Sequence, residues 1–221
     1  MPIYRSARAF ATTAIALVVL QLSLNGLAAY ACACYLADAP NETLIGLFSN
    51  PMVEYASPVM YIAALVFFMR WLHRSIANLT ALGSQNLMSP SSAVWAFFIP
   101  IVNLSRPHHV LATIWTESQP ELLSDGGFAL RRKTTVVTAW WVAAVISTIF
   151  SRVVIRVLGT PKNAEELHGY LIAAITESAL WTVTGIAFIH MVRRSQARQD
   201  AQWQDLELRR AAPQPDPNIL R

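Results

Sequence analysis

Apolar and polar positions fall in long blocks along this chain, and the blocks themselves predict the elements. No residue is charged between Arg8 and Asp38, a run of about 29 residues. At about 1.5 Å per residue, a helix of that length exceeds the roughly 30 Å hydrocarbon core of a bilayer. A second block begins at Pro58 and stays apolar to about Leu72, with Arg70 and Arg74 at its far end. Those arginines can snorkel towards headgroups while the helix continues to Leu79. A third block covers 134–158 and is uncharged until Arg152; a fourth covers 167–192, interrupted only by Glu177. The pattern predicts an all-α integral membrane protein with four transmembrane helices, over about 9–36, 58–79, 134–158 and 167–192.

The remaining apolar stretch, 93–104, reads AVWAFFIPIVNL. It is too short to cross, and Pro100 interrupts helical hydrogen bonding in its middle. It is followed by Arg106, Pro107, His108 and His109. The expectation is a re-entrant or interfacial half-helix over about 90–99, a bend, and an amphipathic helix over about 107–118 opened by Pro107. Val110, Leu111, Ile114 and Trp115 make one apolar face of that helix, suited to lying on the membrane. After Val192 the tail, 193–221, continues as helix through Arg210, and its proline-rich end, AAPQPDPNILR, is expected to be unstructured. The first block is about twice the length of a signal-peptide core, so it is expected to stay as an anchor.

Composition agrees: 54% of residues are hydrophobic and 14% charged, against roughly a quarter charged in soluble domains. The net charge of +4 would suit nucleic acid only if the cations clustered on one soluble face. They do not. Fourteen of the 17 Lys and Arg residues precede the first span, lie between the second and third, or follow the fourth. Arg152, Arg156 and Lys162 are the others, and the connection after the first span carries Asp38, Glu42 and Glu54 but no cation. The positive-inside rule then places both termini in the cytoplasm, in the bacterial inner membrane. A fifth crossing at 93–104 would carry the tail outside and destroy the bias. The charge therefore speaks for anionic lipid headgroups as partners and against nucleic acid.

Candidate chemistry is sparse. Glu177 lies inside a span, where a carboxylate costs about 2.5–3.5 kcal/mol on insertion scales and turns towards protein or water. Counted back from the turn near Gly159 and His168, Arg152 sits at a similar depth, with Arg156 one turn further on. An Arg152–Glu177 ion pair is expected, either locking two helices or lining a small polar site. His73, His108, His109, His168 and His190 show no metal-ligand spacing, and no nucleophile elbow or phosphate loop is recognisable, so no metal, cofactor or catalytic residue is assigned. Cys32 and Cys34 are two apart and point to opposite helix faces, so they are not expected to bond each other. Trp71, Trp95 and Trp115 gather at the predicted cytoplasmic interface, where such rings prefer to sit.

The string RWLHRSIANLTALG from Arg70, followed by SPSSAVWAFFIPIVNLSRPHHVLATIW, resembles the bacterial membrane family called domain of unknown function 4328. The resemblance rests on Asn78, Leu79, Leu82 and Gly83, then Trp95, Ile99, Pro100, Asn103, Leu104, Arg106, Pro107 and Trp115, over about 70–117. It implies a membrane protein and transfers no activity. Physically, Asn103 can satisfy backbone groups freed by Pro100, and Arg106 can meet a lipid phosphate. Trp95, Asn103, Arg106, His108 and His109 are therefore the candidate lipid- or ligand-binding residues. The expected role is a non-enzymatic sensing, scaffolding or assembly module, alone, with a protein partner or as a homo-oligomer. The alternative is a small transporter or channel-like protein using Arg152 and Glu177.

Overall fold

The computed structural model describes residues 3–85, 87–99, 105–119 and 134–211. Among them seven helices follow one another without a strand: α1 (Arg8–Leu36), α2 (Glu42–Phe48), α3 (Pro51–Ala81), α4 (Pro90–Trp95), α5 (Arg106–Glu117), α6 (Thr135–Leu158) and α7 (Ala164–Ala211). Four of them, α1, α3, α6 and α7, are long and apolar enough to cross a membrane.

Local chemistry sets their starts. The Asn41 side chain accepts from Leu44 N and opens α2. Asn50 accepts from Met52 N, with Pro51 in the first turn and Glu54 close behind. This start lies ahead of Pro58, the expected one, and Pro58 is carried inside α3. A capped start with a proline in the first turn outweighs the one hydrogen bond that Pro58 removes further in. Ahead of α7, Asn163 Oδ1 accepts from Glu166 N at 2.8 Å while Asn163 Nδ2 donates to Glu166 Oε1 at 3.1 Å. From there α7 runs 48 residues unbroken, about 72 Å at 1.5 Å per residue.

The long helices stand in an open row, α3–α1–α7–α6: α1 packs against both α3 and α7, and α6 packs against the other side of α7. One end of the row holds residues 3–7, the C-terminal part of α3, the short α4 and α5, the start of α6 and the polar extension of α7; this end is the base. The far end holds α2 and the α6–α7 turn.

Burial is uneven along the row. Beyond Ala14 no residue of α1 is buried, nor is any of α3 before Phe68 or of α7 before Thr184. At the base, Trp71, Leu72, Ile76 and Leu79 of α3 are wholly buried, and Met191 and Val192 of α7 join them. Val110, Leu111, Ile114 and Trp115 are also in this core. The apolar face of α5 is thus spent on α3, α6 and α7 rather than laid on a membrane. Trp71 and Trp115 are likewise core residues, whereas Trp95 is 62% exposed.

Candidate functional site

The base is held by a carboxylate that sequence reading passes over. Asp200, on the polar extension of α7, receives Tyr4 Oη at 2.6 Å, Ser6 Oγ at 3.0 Å and Gln196 Nε2 at 3.0 Å on one oxygen. Its other oxygen takes Nε and Nη2 of Arg8 at 3.2 and 3.1 Å. Gln196 in turn accepts from Trp71 Nε1 at 3.1 Å, and Tyr4 stacks on Trp203 with ring centroids 4.9 Å apart. Asn78 clamps the Arg5 backbone from both sides: its Oδ1 accepts from Arg5 N and its Nδ2 donates to Arg5 O. The N-terminal segment is therefore strapped to α3 and α7 together.

Burial alone would raise the Asp200 pKa, but the hydrogen bonds from Tyr4, Gln196, Ser6 and Arg8 outweigh it and hold the carboxyl below its ordinary range. Tyr4 moves the other way: burial, and the carboxylate its hydroxyl donates to, push its phenol up. Beside this hub the Arg198 guanidinium lies over the Trp115 ring, 4.3 Å from the centroid. Gln199 Nε2 donates to Ser118 Oγ at 3.1 Å.

Along the far end the helices are joined by scattered polar contacts. Ser147 and Thr184 share a buried hydrogen bond of 3.0 Å between α6 and α7. Gln21 Nε2 donates to Ser57 Oγ at 2.8 Å, and Ser178 Oγ donates to Asn25 O at 3.0 Å. A Cβ on Gly185 would stand 2.7 Å from Leu22 Cδ1, so glycine lets α1 and α7 approach there. Glu177 accepts from Ser151 Oγ, which also receives Trp181 Nε1 at 3.3 Å.

The expected Arg152–Glu177 ion pair is not formed. Among the described residues the ion pairs are Arg8–Asp200 and Arg209–Asp205. Arg152 and Arg156 are both exposed. The reason is angular: Ser151 is the α6 residue turned towards α7, and the next residue points about 100° away. Matching depth along two helices does not match their faces.

Of the other candidate residues, Asn103 and Pro100 lie outside the described residues, as do Arg131, Arg132, Lys133 and the tail from 212. Trp95 ends α4 exposed, its ring edge-on to Phe98. Arg106 and His109 are exposed in the first turn of α5, and half-buried His108 reaches Thr138 Oγ1 on α6 with Nε2 at 3.1 Å. Beside that contact an open groove of about 720 Å³ runs between α6 and α7, lined by Thr134, Thr135, Thr138, Ala139, Val142, Ala143, Ile146, Leu180 and Val183. Cys32 and Cys34 are free thiols. No group of three potential metal-ligating side chains occurs among the described residues.

The family described as Domain of unknown function (DUF4328) matches residues 49–197. The match takes in α3 to α6 and α7 as far as Ala197, and leaves out α1, Tyr4 and Asp200. No curated protein and no solved structure matches the chain.

Proposed function

This chain belongs to the family of Domain of unknown function (DUF4328), and we propose that it is a four-span module of the bacterial inner membrane with both termini in the cytoplasm, working as a non-enzymatic scaffold. Its base is the working part, and the 93–118 segment, through Trp95, Arg106 and His109, engages anionic headgroups. The observation that carries this is the uneven packing. The far end is an open row whose outward side chains are apolar, including Val59, Ile62, Val142, Val183 and Ile186, as lipid contact requires. The base is a close-packed, hydrogen-bonded unit of the kind that holds a surface in fixed shape. The cation bias towards the base supports the cytoplasmic assignment.

Reporter fusions test the arrangement. A fluorescent protein behind Ala211 is expected to be bright, and alkaline phosphatase inserted after Phe48 active; the reverse pattern overturns the orientation. Reconstituted vesicles test the role. Solute or ion flux that disappears in Glu177→Gln would replace the scaffold with a transporter.

A further inference from the structure

Three basic side chains stand in line on α7 where it leaves the apolar block. His190, Arg194 and Arg198 follow one another at four-residue steps, each turned only about 40° from the last and about 6 Å further along the helix. His190 and Arg194 are exposed, and Arg198 is half-buried. Trp115 of α5 ties the line together. The His190 ring centroid is 6.3 Å from that of the indole, and the Arg198 guanidinium lies 4.3 Å over the same ring. Arg198 is therefore seated on an indole, and Arg194 comes between the two side chains that reach it.

The charge in this line has no counterpart. Among the described residues no carboxylate pairs with Arg194 or Arg198, and Arg198 Nη1 is buried without an acceptor. Buried donors ordinarily find one. Burial, and then the neighbouring charge of Arg194, lower the Arg198 pKa. Like charges four residues apart are unfavourable unless something answers them. The carboxylates nearest in sequence are turned elsewhere. Asp200 faces the hub, and Asp205 is taken by Arg209 at 2.8 Å. Glu117, two residues past Trp115 on α5, lies about 160° round that helix from it.

We infer that Arg194 and Arg198, beside Trp115, form a binding site for a phosphate group. Two cations that repel each other both gain from an anion shared between them, and guanidinium donors match phosphate oxygens in pairs. The indole seat holds Arg198 before the anion arrives, so less side-chain freedom is lost on binding. Arg194 comes two residues after Val192, where the fourth apolar block ends, which is headgroup depth for a spanning helix. Two sources present phosphate there: the headgroup of an anionic phospholipid, and phosphate free in solution. The site uses none of Trp95, Arg106 and His109 and does not depend on which way the chain faces.

The test titrates the full chain, purified in mild detergent, with two probes. Native mass spectrometry counts bound phosphatidylglycerol against phosphatidylcholine. The heat-denaturation midpoint follows inorganic phosphate against chloride at constant ionic strength. Saturable binding of phosphatidylglycerol or of phosphate is expected, and the one that binds names the source. Arg194→Gln and Arg198→Gln should each weaken that binding by about tenfold or more. Arg193→Gln removes an exposed cation turned about 100° from Arg194, and should change it by less than about twofold. Arg198→Lys, which keeps the charge and gives up the paired donors, stands in if Arg198→Gln is not monodisperse, and should also weaken binding severalfold. Equal weakening by Arg193→Gln would mean charge spread over a surface and overturns the site. Unchanged binding in Arg194→Gln, or a wild type indifferent to both probes, overturns it as well.

Discussion

The base and the far end of this protein are built from the same helices under opposite rules. At the base, α3, α5 and α7 bury tryptophan, leucine and isoleucine completely, with a carboxylate and amides held among them by hydrogen bonds. At the far end α3 buries nothing before Phe68 and α7 nothing before Thr184, and the contacts between helices include hydroxyls, an amide and a glycine. The difference is what two solvents would produce. Water drives apolar side chains together; the lipid proposed for the far end, as apolar as leucine, would give no such push and would leave close fit and polar contacts to join the helices.

Breaking the base should therefore cost far more than trimming the far end. Trp71→Ala removes a fully buried ring and the donor to Gln196, and is expected to cost about 3–5 kcal/mol. Ile62→Ala, at an exposed side chain, should change stability by under about 0.5 kcal/mol. Denaturant titration of the purified protein in micelles compares the two, and equal losses would erase the distinction.

Next in size is Asp200→Ala, expected to cost about 2–4 kcal/mol because it strands several donors at once. Arg8→Gln should cost under about 1 kcal/mol, since the Arg8 side chain is 71% exposed. The pH dependence follows from the lowered Asp200 pKa. Its contribution is complete above the unfolded carboxylate value of about 3.9 and is lost as pH falls through the lower folded value. The stability gap between wild type and Asp200→Asn should accordingly close in strong acid and stay constant through neutrality.

Two smaller effects sharpen the picture of the far end. Gly185→Ala should cost about 1 kcal/mol, at the low end for overpacking because the opposing Leu22 tip can swing aside; Leu22→Ala in the same chain should recover part of it. Ser151→Ala and Glu177→Gln should couple by about 0.6 kcal/mol in a double-mutant cycle. Arg152→Gln and Glu177→Gln should add without coupling.

The four long apolar helices were legible in the sequence because charge-free length is itself the physical requirement for crossing lipid. The family was legible from the run between Arg70 and Trp115. What could not be read in the same way is which face of a helix meets which neighbour. That is why Arg152 looked like the partner of Glu177 when Ser151 is, and why the apolar face of α5 looked destined for the membrane. The hub at Asp200 was hidden for another reason: polar residues beyond a span are read as solvated. A signal was present, since Val192, Ser195, Gln196 and Gln199, all buried, continue the i, i+3, i+4, i+7 rhythm of a buried face on to Asp200 and Trp203.

The strap from Tyr4 to Asp200 also sets an order of assembly. The two residues are 196 positions apart, so at about 5–20 residues per second the ribosome takes roughly 10–40 s to deliver the second after the first. Throughout that interval the nascent N-terminal segment has no carboxylate to hold it, while α1 is already available for insertion. Closure of the base is thus timed by translation of the last long helix, and a chain stalled before residue 200 would leave its N-terminal segment unfastened.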